Sequence, residues 1–91
     1  MKISRSDIID ALYDAGLDAD SLREDYSGRA MYGESCFGIV CSDGEALHFV
    51  ASIAIILEGR ADDWHWVEDV RTDSMGLSTI WYWPGIKLGE N

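Results

Sequence analysis

Residues 60–76 read RADDWHWVEDVRTDSMG, and whether they form a helix or a strand decides how the fold is built. Trp64, Val67 and Val70 recur at every third position, as on a helical stripe, whereas WHWV taken alone also suits a strand. The longer period predicts a helix. Downstream, LSTIWYWPGIKL at 77–88 is β-branched and aromatic up to Pro84. Proline has no N–H to give a ladder, so a strand is expected that finishes there or lies at a sheet edge. Its two faces, Ser78–Ile80–Tyr82 and Thr79–Trp81–Trp83, both carry aromatic residues.

Upstream, SDGEALHFVASIAIILEG at 42–59 opens with Ser42 and Glu45 in capping-box spacing and stops at Gly59, which predicts a helix of about four turns. Its only polar interior residues are His48 and Ser52. So apolar a helix exceeds what one thin sheet covers, and a homodimer burying Ile55 or Ile56 is expected. It is too short to span a bilayer. Before it, RAMYGESCFGIVC at 29–41 reads as a hairpin of two short strands around YGES, with Gly38 marking a bulge or a close backbone approach. LDADSLREDYSG at 17–28 has few apolar positions and predicts a helical turn near Asp20–Glu24 leading into a loop. In SRSDIIDALYDAGLD at 4–18, Ile8, Ile9 and Leu12 share one stripe, Ser4 or Ser6 suits the N-cap, and Gly16 suits a left-handed stop. The expected architecture is one α+β domain over residues 1–91: a three-stranded, mainly antiparallel sheet with helices packed on one face.

Apolar residues make up 47% of the 91-residue chain, with four Trp, four Tyr and two Phe, enough to build one core. Seventeen acidic residues against seven basic ones give a formal charge of −10. That balance disfavours direct binding to nucleic acid or an anionic membrane and favours a protein with a basic surface. Cys36 and Cys41 stand five apart in a predicted strand, which sends them to opposite faces, so two reduced thiols and a cytoplasmic setting are expected. No G-x-S-x-G elbow, Cys–His signature, P-loop or G-x-G-x-x-G occurs, so neither an enzyme nor a cofactor is expected.

YSGRAMYGESCFGI at 26–39 paired with RTDSMGLSTIWYWPG at 71–85 resembles small acidic proteins of unassigned function encoded by phages and prophages, over about a third of the chain. The resemblance implies a phage-borne accessory protein. Its class would be an inhibitor of host machinery, anti-CRISPR or otherwise anti-defence, acting in the host cytoplasm.

Two surfaces are candidates for partner binding. Asp7, Asp10 and Asp14 lie about 4.5 and 6 Å apart along a helix axis, comparable to phosphate spacing on a nucleic-acid strand. They are either a solvated helix face or a mimic of nucleic acid presented to a host nucleic-acid-binding protein. Asp62, Asp63, Glu68 and Asp69 flank Trp64 and Trp66, an arrangement of aromatic anchors ringed by charge that suits a protein interface. On a helix, Asp62, His65 and Asp69 would share a face, but three ligands there splay too far for a tight metal shell, so no metal site is expected. A nucleotide-like ligand is the alternative, held by Arg29 and Asp73 on glycine-flanked loops with Tyr26, Tyr32 and Trp83 nearby. The same Arg29 and Asp73 equally suit an ion pair that fixes the two loops.

Overall fold

The computed structural model describes residues 2–27, 35–71 and 77–89, with 68–71 and 77–78 described by backbone alone. Strand β1 (Lys2–Ile3) leads into helix α1 (Arg5–Asp14), a 3-10 turn (Ala19–Ser21), strands β2 (Leu22–Tyr26) and β3 (Cys36–Cys41), and helix α2 (Asp43–Ile53). Strands β4 (His65–Arg71), β5 (Leu77–Tyr82) and β6 (Lys87–Leu88) complete the order. The fold is α+β. Among the described residues its main sheet is antiparallel in the order β2-β3-β5-β4, four strands where three were expected, and β1 pairs with β6 in a small parallel sheet.

Both helices form where local chemistry places them. Ser4 is the N-cap of α1, and Gly16 takes φ 81° just past its end. The Ser42–Glu45 capping box is complete: Glu45 N–H donates to Ser42 Oγ at 3.4 Å, and Ser42 N–H donates to Glu45 Oε1 at 3.1 Å. Regular helix stops at Ile53, earlier than expected. The chain keeps turning, with Leu57 N–H on Ile53 O at 2.9 Å, until Glu58 and Gly59 adopt φ 51° and 91°.

The segment expected to be a third helix is strand β4. The helical reading failed because β4 carries a bulge: Val67 and Val70, three apart, sit opposite Ile80 and Ser78, two apart. One inserted residue turns a strand's period of two into a local period of three. A second register shift lies between Arg23 and Tyr26 of β2. The turn expected near Asp20–Glu24 is correspondingly short, and Leu22–Tyr26 is the partner that β3 actually takes. The first strand of the expected hairpin, around YGES, falls at 28–34, outside the described residues.

Ile8 and Leu12 of α1, Ala46, Phe49 and Ile53 of α2, and Phe37, Ile39, Cys41, Trp81 and Trp83 share one buried cluster, which places the helices on one face of the sheet. Cys36 and Tyr82 belong to a second cluster with Tyr26 and Val67 on the other face, so the two thiols do point apart. Gly38 is a close approach. A Cβ there would lie 3.0 Å from Trp81 O and 3.3 Å from Tyr82 Cβ. Strand β5 is interior to the sheet and simply finishes at Tyr82. The Trp83–Ile86 turn follows, closed by Ile86 N–H on Trp83 O at 3.1 Å, with Pro84 second and Gly85 at φ 78° third, the type II arrangement.

Candidate functional site

Strand β4 is an edge of the sheet, and helix α2 packs on β3. The helix-facing surface at the β4 end carries three aromatic residues, Trp64, Trp66 and Trp81. Trp66 pairs with Trp81 across the strands, their ring centroids 6.3 Å apart. Trp64 leans on both, 5.4 Å from Trp66 and 4.6 Å from Trp81 in a nearly perpendicular arrangement. Such ring pairs contribute about 0.5–1.5 kcal/mol beyond burial. The burial is graded: Trp81 is buried, Trp64 is half-buried, and Trp66 remains 57% exposed. An exposed indole is thus held by two ordered ones. Trp81 Nε1 is buried and makes no hydrogen bond among the described residues.

Asp62 and Asp63, both exposed, precede this cluster, and Asp63 Oδ2 accepts from Arg60 Nε at 3.0 Å. A long-range bond fixes the start of the segment. The indole Nε1 of fully buried Trp83 donates to Ala61 O at 3.0 Å, across 22 residues of sequence, and the same ring stacks on Phe37 at 5.0 Å. Trp83 is therefore core and holds the aromatic segment in place. It cannot meet a ligand, which corrects its place in the expected nucleotide site. Tyr26 lies on the opposite face of the sheet, its ring 4.9 Å from Tyr82, with its hydroxyl pKa pushed up by burial and by Tyr82 and Cys36 beside it. Arg29, Tyr32 and Asp73 fall outside the described residues.

On α1, Asp7, Asp10 and Asp14 are all exposed, away from buried Ile8, Ala11 and Leu12. Asp7 suits the first turn, but Asp14 sits at the carboxyl end with no basic residue in the last turn. The helix dipole disfavours an acid there by about 0.3–1 kcal/mol. Among the neighbouring acids, Asp18 Oδ1 accepts from Asp20 N–H at 2.9 Å and Glu24 pairs with Arg5, so those two serve local structure. Glu24, Arg5, Asp25, Leu88 and Gly89 line a cleft of about 350 Å³ in which the guanidinium is already engaged by a carboxylate.

The expected helical face of Asp62, His65 and Asp69 does not exist, because His65 lies in β4 opposite Tyr82 and Asp62 precedes the strand. No group of three metal-ligating side chains converges among the described residues. Burial pushes the Cys36 thiol up to about 11, and burial with Glu45 and Asp43 nearby pushes Cys41 up to about 12, so both are protonated at neutral pH and neither is a poised nucleophile. No helix among the described residues is long and apolar enough to cross a membrane. Comparison with family models, with curated proteins and with solved structures returns no match.

Sequence grouped Trp64 with Trp66 but did not separate their roles, and it missed Trp81 as their support. Reading 64–67 as a strand would have supplied the signal, since alternation then puts Trp64 and Trp66 on one face.

Proposed function

We propose that this chain is a small acidic binding protein of the phage-type inhibitor or adaptor class, anti-CRISPR or otherwise anti-defence, acting in the host cytoplasm on a protein with a basic surface. The observation that carries the reading is Trp66, a 57% exposed indole on a strand, backed by Trp64 and Trp81 and preceded by Asp62 and Asp63. Interface energy concentrates in aromatic anchors of this kind, while the charges around them govern encounter and salt dependence. The exposed stripe of Asp7, Asp10 and Asp14 supplies a second, purely electrostatic contact, and a nucleic-acid-binding host protein is the partner that phosphate-like spacing fits. Binding of this kind requires neither a catalytic group nor a cofactor.

The test begins with capture from bacterial lysate and identification of the partner, then measures its affinity from about 50 to 300 mM salt. Trp66→Ala is expected to weaken binding by roughly thirtyfold or more at every salt concentration, the effect of losing about 2 kcal/mol. Asp7, Asp10 and Asp14 all changed to Asn should leave the melting temperature within about 2 °C, since all three are exposed, while reducing both low-salt affinity and its salt dependence. If both variants bind as tightly as wild type throughout, neither surface is the interface.

A further inference from the structure

No strand pairs with the outer side of β4 among the described residues. Which of its backbone groups point outward follows from the register. Trp83 N–H donates to Phe37 O, so two residues earlier Trp81 also turns its N–H and C=O toward β3, where Ile39 is its hydrogen-bonded partner. Ile80 and Tyr82 therefore turn the other way and form the hydrogen-bonded pairs with Val67 and His65 of β4. Trp66, between those two, faces Trp81 as a non-hydrogen-bonded pair, which sends its own N–H and C=O out from the sheet. The same residue leaves its indole 57% exposed on the helix-facing surface. Beyond Val67 the bulge breaks the ladder, so the open stretch is short and centred on Trp66.

We infer that β4 takes up an extended segment of the partner as an added strand, with a basic residue opposite Trp66. This rests on the function proposed above and gives the contact its form. Trp66 exchanges both backbone bonds with one partner residue, whose side chain then falls on the same face as the indole. Charge selects that residue. The chain carries −10, and exposed Asp62 precedes the cluster while Asp63 holds Arg60. An arginine opposite Trp66 lays its guanidinium on the exposed indole, a contact that a planar cation suits. The partner residues on either side of it point to the other face, toward Val67 and the His65 ring on Tyr82, where β-branched side chains fit. A second copy fits this edge badly, because antiparallel pairing about Trp66 would set position 63 against 69, acid opposite acid.

The probe is an acetylated, amidated hexapeptide of alternating arginine and valine, titrated into the isotopically labelled full chain and read by amide NMR. In the free protein, hydrogen exchange at Trp66 N–H is expected to be about tenfold or more faster than at His65 and Val67. The peptide should slow it and shift both the amide and the indole N–H of Trp66, and the same peptide with glutamate for arginine should do neither. Backbone methylation reads the geometry, since in the added strand the arginine N–H groups face β4 and the valine N–H groups face solvent. Methylating the arginine nitrogens is expected to lower affinity about tenfold or more, and methylating the valine nitrogens less than about threefold. Equal losses in the two series, or an indole shift without an amide shift, overturn strand addition. Trp66 as an anchor is judged separately, by Trp66→Ala on the captured partner. A Trp66 amide already protected before peptide is added also overturns the inference, because a second copy or another segment of this chain then holds the edge. So does a peptide that leaves that amide unmoved.

Discussion

Replacing Trp83 with Phe tests the link between the core and the exposed aromatic cluster. The indole is fully buried, stacks on Phe37 at 5.0 Å and lies 5.6 Å from Phe49, contacts that a phenyl ring largely keeps. The bond from Nε1 to Ala61 O, 3.0 Å long, is lost, and Ala61 is itself buried. Leaving that carbonyl without its donor costs about 1–3 kcal/mol. The smaller ring vacates roughly 40 Å³, which at about 24 cal/mol per Å³ adds about 1 kcal/mol. The total, about 2–4 kcal/mol, is a large part of the roughly 5–14 kcal/mol available to a domain of this length. Thermal unfolding at pH 7 should show the melting temperature lowered by roughly 10–25 °C. Because Ala61 starts the segment that positions Trp64 and Trp66, hydrogen exchange at residues 62–66 should rise more than in α1. A drop of less than about 4 °C, or exchange that rises equally everywhere, would refute the idea that this one bond fastens the aromatic segment to the core.

The buried thiols make stability fall at alkaline pH. Both pKa values rise on folding from the ordinary 9.0, to about 11 for Cys36 and about 12 for Cys41, so above pH 9 the unfolded chain loses protons that the folded one keeps. Urea midpoints should be insensitive to these groups below pH 8, decline from pH 9 to 11, and decline less in Cys41→Ala; a flat profile would contradict the burial. Two glycines should respond in opposite directions to alanine. Gly38→Ala drives a Cβ to 3.0 Å from Trp81 O and is expected to cost about 1–3 kcal/mol, whereas Gly44→Ala in α2, with nothing within 4 Å, should gain about 0.5–1 kcal/mol, both measured by chemical denaturation.

The sequence by itself determined what depends on nearest neighbours along the chain. Helices α1 and α2 were legible because their stripes, the Ser42–Glu45 box and the left-handed Gly16 are all local and act within a few residues, although regular α2 ends at Ile53, short of the left-handed Gly59. The α+β class and the opposed cysteines follow from the same kind of periodicity. Contacts between distant segments decided the rest. Leu22–Tyr26, with only its ends apolar, is a strand because β3 offers it a ladder, and the two-residue strands β1 and β6 exist only because residues 2–3 meet residues 87–88. His65–Arg71 was misread because a bulge, visible only in its register against β5, gives Val67 and Val70 a helical spacing. The candidate site was half legible for the same reason. A tryptophan's character does not say whether it will be buried: Trp83 is closed over by Phe37 and Phe49, while Trp66, on the edge strand β4, stays open.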